Sequence, residues 1–254
     1  MTCVSFVKEG NLGIIEIDYP KTLNSLCTEV RESLKLELTA AAQSDVRVIV
    51  IKGNQRAFST GGDLGELSKI GDPVAAKEYV ADVHTLIRKI HQSSKVTIAL
   101  VEGYAVGAGL SLAAACDMIY AAEGAKFAIP FLNVGLVPDC GASYLVSRLI
   151  GIQKAKELTF SGETFDSAEA YKLGLVARVL ANDTALEEAK QLATKIAARP
   201  AKALALTKAN FELAVQVGLE ATLDLEEAGQ AVCIFGAEHA EGRTAFFEKR
   251  KPKF

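Results

Sequence analysis

Two short runs hold the residue types from which a reactive site could be built. They are Arg56-Ala-Phe-Ser-Thr-Gly-Gly-Asp-Leu64 and Glu102-Gly-Tyr-Ala-Val-Gly-Ala-Gly-Leu110. Glycine in such places lets the backbone turn tightly and approach a ligand closely. The second run leads into a helical stretch, whose first N–H groups and positive dipole end then face the loop. Two junctions of this kind can each give one N–H to an oxyanion. A packing turn is the plainer explanation of either run taken alone. Neither is a nucleotide fingerprint: Gly107-x-Gly109 lacks the third glycine and the ribose-binding acid, and no Gly-Lys-Ser/Thr follows. A third run, Val137-Pro-Asp-Cys-Gly-Ala-Ser-Tyr144, puts Asp139 in a turn ahead of a helical stretch. By itself that aspartate reads as an N-cap. Cys140 has no histidine near it in sequence and reads as a small packed residue. His84, His91 and His239 lie in helical stretches outside these runs and receive no role.

The elements that must hold these runs follow from periodicity. Residues 4–18 alternate around Glu9-Gly10-Asn11, a hairpin signal. Residues 27–43 space Val30, Leu34, Leu38 and Ala41 as a helix. Strands are expected at 46–52, 96–102, 117–121 and 126–130, with the loops 59–65, 103–109 and 131–140 between them. Helices are expected at 73–92, 110–116 and 141–149. Apolar strands alternating with helices predict an α/β core with parallel pairing. From about residue 183 the pattern is helical only. Thr184-x-x-Glu187 reads as a capping box opening a helix to Ala198. Arg199-Pro200 breaks that helix, and further helices are expected near 202–217, 219–235 and 238–248. A boundary therefore falls near 182–200.

Composition narrows the class. The chain has 254 residues, half of them hydrophobic, and a net charge of −3. That balance fits a globular protein and argues against a nucleic-acid partner. No apolar run is long enough to span a membrane, and the N-terminus does not read as a signal peptide. Five scattered cysteines and three histidines suggest neither a disulfide framework nor a metal site. A reduced, cytoplasmic protein is expected. Residues 248–254 set four basic side chains against one acid, on a more acidic body.

Taken together, the runs resemble the crotonase (enoyl-CoA hydratase/isomerase) family over nearly the whole chain. Tyr19-Pro-Lys-Thr-Leu-Asn-Ser-Leu26 is similar to the family's entry to its first helix. Ala57–Leu64 and Glu102–Gly109 resemble its two oxyanion segments. Cys116-Asp117 follows as it does there. Gly162-Glu-Thr-Phe-Asp-Ser-Ala-Glu-Ala-Tyr-Lys-Leu-Gly-Leu-Val176 resembles the approach to its C-terminal region. The resemblance implies a spiral of ββα units over residues 1–195, with an all-helical oligomerisation region at 196–254. It implies a homotrimer or a dimer of trimers acting on an acyl-CoA thioester. It also implies no separate cofactor, since coenzyme A is part of the substrate. The N–H groups of Gly62 and Ala108 would bind the thioester oxygen. Alanine at 108, where many members have glycine, would narrow the space beside the substrate. Coenzyme A would run along Lys21, Thr22 and Leu23 and the loop Ser59, Gly61, Gly62, Asp63 and Leu64. Lys249 would help with its phosphates, and Ser111 and Phe131 would border the acyl group.

The family's hydratases hold a water between two glutamates, and the matching positions here are Ser111 and Phe131. Phenylalanine moves no proton, and serine is a poor base without a partner. Asp139 matches the working acid of single-aspartate enoyl-CoA isomerases, including those of the phenylacetate-pathway type. One carboxylate suffices for a 1,3-proton shift, and apolar neighbours would raise its pKa. Glu66 is a reserve acid, and would allow a hydratase with acids outside the usual positions. A non-catalytic thioester binder is the reading from another class.

Overall fold

Strands that are apolar on both faces need cover on both faces, and the chain supplies it by splitting its strands between two sheets. The computed structural model describes residues 3–254. The strands are β1 (Val4–Glu9), β2 (Leu12–Ile17), β3 (Val48–Lys52), β4 (Ala57–Ser59), β5 (Val96–Val101), β6 (Tyr104–Val106), β7 (Met118–Ala122), β8 (Lys126–Ala128), β9 (Phe165–Asp166) and β10 (Arg178–Leu180). The helices are α1 (Thr28–Gln43), α2 (Leu64–Leu67), α3 (Pro73–His91), α4 (Ala108–Ala114), α5 (Ala142–Ile150), α6 (Ile152–Ser161), α7 (Ser167–Lys172), α8 (Ala185–Ala197), α9 (Ala201–Ala214), α10 (Leu219–Ile234) and α11 (Ala237–Phe247).

One sheet has the order β1-β2-β3-β5-β7-β10 and the other β4-β6-β8-β9. From β3 to β8, each successive ββα unit sends its first strand to the larger sheet and its second to the smaller one. This is the expected spiral. The hairpin β1–β2 pairs antiparallel, and β2, β3, β5, β7 and β10 pair in parallel. Every residue of β3 and β5 is buried, as continuous apolar runs in a covered parallel sheet require. One face of the larger sheet packs with α1, α3 and the smaller sheet in the main core. The other face, including Val48, Val50, Ile98 and Leu100, receives Ala185, Ala189, Ala193 and Ala197 of α8.

Several expectations shift. The Thr184 side chain makes no capping bond to the backbone of α8. Its hydroxyl instead pairs with the Glu188 carboxylate at 2.5 Å, so the capping box is not formed. α4 starts at Ala108, two residues earlier than periodicity suggested, because its small side chains fit a fully buried helix. β4 and β6 lie inside or beside the runs read as loops, being three residues each and too short to show alternation. No helix among the described residues is long and apolar enough to cross a membrane. No cluster of three or more metal-ligating side chains occurs among them either.

Candidate active site

The site is assembled by the pairing of β4 with β6. Ala57 lies opposite Tyr104 and Ser59 opposite Ala105, so the two glycine-bearing loops leave the smaller sheet side by side. Their contact is too close for side chains. A Cβ on Gly109 would stand 2.2 Å from the Ser59 carbonyl oxygen, and one on Gly61 would stand 2.9 Å from the Ala108 nitrogen. Any larger residue there would push the loops apart.

This packing leaves two N–H groups without partners. Among the described residues, neither the Gly62 nor the Ala108 N–H is hydrogen-bonded within the protein. Gly62 is exposed, and Ala108 begins α4, where the first N–H groups have no helical acceptor. The pair can therefore receive an anionic oxygen, with the helix dipole adding to its attraction. Ala108 itself is 4% exposed and belongs to the main apolar cluster, so its methyl takes little from the open side.

Buried side chains hold the first loop. The Asn24 amide donates to the carbonyls of Ile17 and Ala57 at 2.9 and 2.8 Å and accepts from the Tyr19 N–H at 2.7 Å. Leu23 and Asn24 are both left-handed, with φ of 53° and 59°. Ser59 donates inward to the Asn24 carbonyl at 2.7 Å and is fully buried, so its hydroxyl supports the loop from behind. The Asp63 carboxylate caps α2 by accepting from the Glu66 N–H at 2.9 Å, and also accepts from the Ser25 hydroxyl. These bonds hold its carboxyl below the usual range. Leu64 and Lys21 are exposed, and the buried Thr22 hydroxyl has no partner.

Glu66 is committed elsewhere. Its carboxylate accepts from the Thr28 N–H at 2.7 Å and pairs with Arg31 at 2.9 Å. Burial pushes its carboxyl up, but the Thr28 N–H and the Arg31 guanidinium outweigh that and hold it down. A charge so well compensated is a weak proton carrier, which removes the ground for a reserve acid.

Asp139 is the opposite case. Its side chain does not cap α5; the N-cap is Gly141, at φ 78°. The Asp139 Oδ1 is buried with no hydrogen-bond partner. Burial pushes this carboxyl above the ordinary range, with the Cys140 thiol pulling the other way. Ser111, one turn into α4, donates to the carbonyls of Gly107 and Asp139 at 3.2 and 3.3 Å. That bond ties the aspartate's backbone to the helix that begins at Ala108. The Phe131 ring lies beside Gly107, 3.7 Å from where a Cβ would stand. Burial raises the Cys140 thiol far above neutrality, and the Asp139 carboxylate adds to that, so it is no nucleophile.

Two residues given no role by the sequence lie here. His84 on α3 accepts the Cys140 N–H at 3.2 Å through Nε2. Tyr79, on the same helix, has a buried hydroxyl without a partner and carries the Arg31 guanidinium 4.4 Å above its ring. Neither is near its contacts in sequence, and only α3 crossing the site brings them in. The remaining expectation, Lys249, is exposed at the end of α11. The tail beyond it folds back, with Arg250 paired to Glu241 and Glu248. Among the described residues, no hydrogen bond joins residues 237–254 to residues 19–26 or 59–65.

Known proteins resemble this chain in sequence and fold. The family model described as enoyl-CoA hydratase/isomerase covers residues 8–254. A Bacillus subtilis protein named for enoyl-CoA hydratase/isomerase is 34% identical, the match covering 100% of this chain and 99% of that one. A crotonyl-CoA hydratase of Syntrophomonas wolfei is 31% identical, covering 97% of this chain and 95% of its own. The crystal structure of an enoyl-CoA hydratase from Bacillus anthracis superposes with a TM-score of 0.95 at 29% identity, covering 99% of this chain and 98% of that one.

Proposed function

The chain belongs to the enoyl-CoA hydratase/isomerase family, and within it we propose an enoyl-CoA isomerase that moves a double bond with Asp139 as its single base. The carrying observation is the Asp139 carboxyl, buried and unpaired at Oδ1 and raised by desolvation. The unpartnered N–H groups of Gly62 and Ala108 support the same reading as the oxyanion pair.

The thioester oxygen of a 3-enoyl-CoA accepts hydrogen bonds from Gly62 and Ala108. The Asp139 carboxylate removes a proton from C2, and the electrons move into a dienolate whose oxygen the two N–H groups stabilise. The protonated Asp139 then returns the proton to C4, giving the 2-enoyl-CoA. No water enters the balance. Ser111 and Phe131 suit that economy: the Ser111 hydroxyl is spent on two carbonyls, and the Phe131 ring is apolar. Lys21, Thr22 and Leu23 with the exposed edge of the first loop take the coenzyme A, which arrives with the substrate, and no separate cofactor is invoked.

A trimer or a dimer of trimers belongs to this reading. α10 buries none of its residues, and Phe235, Phe246 and Phe247 are 92%, 78% and 75% exposed. Apolar surface of that kind marks an interface. A Lys249 that serves coenzyme A phosphates would then come from a second copy.

Purified protein offered 3-enoyl-CoA substrates of graded chain length should form the 2-enoyl isomers, and Asp139→Asn should lose at least about 100-fold in kcat. No migration on any chain length, or full activity in Asp139→Asn, would defeat the reading. The relatives named as hydratases give the competing outcome, in which solvent oxygen appears in the product.

A further inference from the structure

The Asp139 carboxyl has no hydrogen bond at Oδ1 to fix its direction, so its aim depends on the backbone turn that carries it. That turn is unusual. Cys140 and Gly141 are successive left-handed residues, at φ 53° and 78°. Glycine takes this conformation freely, but a cysteine does so at a cost of about 1 kcal/mol or more, and needs restraint from outside. Ahead of the pair, the Asp139 carbonyl is held by the Ala142 N–H at 2.9 Å and the Ser111 hydroxyl at 3.3 Å. Within the pair, the Cys140 N–H has one acceptor among the described residues, the Nε2 of His84 at 3.2 Å.

His84 sits on α3, a 19-residue helix whose Val83, Leu86 and Ile90 are buried in the core. The imidazole is thus mounted on a rigid element, while the turn it grips has no regular structure. To accept from Cys140, Nε2 must be unprotonated, which leaves the proton of the neutral ring on Nδ1. We propose that His84 is a positioning residue for Asp139, holding the Cys140 N–H and thereby the left-handed pair that directs the carboxyl at the substrate. This rests on the single-carboxylate reading above. His84 takes no proton from the substrate; it fixes the group that does.

The test compares wild type with His84→Gln, His84→Leu and His84→Ala. Glutamine keeps an acceptor near the place of Nε2, leucine keeps volume without one, and alanine keeps neither. The leucine and alanine variants should lose about 100-fold in kcat at nearly unchanged KM, as a small misplacement of a reacting group does. His84→Gln should recover most of that loss. Hydrogen exchange at the Cys140 amide needs no substrate, and should quicken about 10-fold in the leucine and alanine variants but not in glutamine. A merely structural role would lower Tm in all three and leave kcat of the folded enzyme intact. Turnover and Cys140 exchange within about twofold of wild type in whichever no-acceptor variant folds would overturn the proposal. Wild type inactive on every 3-enoyl-CoA, with that exchange pattern present, would count against the isomerase reading and for the held turn.

Discussion

Asp139 and Glu66 are both acids beside the same loops, yet their surroundings send them in opposite directions. Glu66 has a buried guanidinium and a backbone N–H, whereas Asp139 has burial and little else. A carboxyl whose folded pKa is raised binds its proton more tightly in the folded state. Stability therefore falls as pH rises from the unfolded value through the folded one. Asp139→Asn should accordingly keep or raise Tm at neutral pH while losing activity, and a calorimetric scan checks this. Activity in the wild type needs the ionised form, so the acidic limb of kcat/KM should lie above the ordinary carboxylate value of about 4. A limb at or below that value would contradict the burial. Glu66→Gln should do the reverse, losing about 1 kcal/mol as the Arg31 guanidinium keeps only Asp82 as a charged partner, while kcat stays near wild type. Denaturant titration beside kinetics separates the two effects. The sequence showed that Asp139 was available, because no glutamate stands at 111 or 131. It could not show that the carboxyl is uncapped, since a turn ahead of a helix looks the same whether or not the side chain bonds back.

At the scale of elements, long periodic segments were legible and short ones were not. α1, α3, α9, α10 and α11 all begin and end within a few residues of their expected limits. β4 and β6 left no periodic trace, yet their pairing brings Gly62 to Ala108. The loops could be recognised by their glycines, but their adjacency is a tertiary fact. α3 shows the same limit, because Tyr79 and His84 meet their neighbours only after the helix has crossed the site. The Cys116-Asp117 signature also gains a physical meaning. Asp117 accepts from the N–H and hydroxyl of Thr97, at 2.6 and 3.0 Å, and from the Lys208 ammonium at 2.9 Å. Lys208 donates as well to the Lys95 carbonyl at 3.2 Å, so α9 is pinned to the core by a buried charge. Lys208→Met should cost about 2 kcal/mol, because Asp117 and the Lys95 carbonyl lose a charged donor. Thermal unfolding that matched wild type would show the pin to be dispensable.

At the scale of the molecule, the core is self-sufficient and the helical tail is not. The alanine face of α8 is covered by the larger sheet, whereas no residue of α10 is buried. Light scattering should report the mass of a trimer or hexamer, and Phe235→Asp should shift it toward smaller species without removing the fold. A monodisperse monomer of wild type would contradict the apolar face. The basic run at the C-terminus is partly neutralised by Glu241 and Glu248. What remains of its charge is offered at the end of α11. The reaction itself is reported directly by isotopes. Purified protein should be incubated with a 3-enoyl-CoA, and separately with its 2-enoyl isomer, in water enriched in heavy oxygen, with the isomers separated by chromatography and each product weighed by mass spectrometry. Interconversion of the two isomers with no heavy oxygen taken up is the expected result; a 3-hydroxyacyl-CoA carrying heavy oxygen, formed without interconversion, would contradict it.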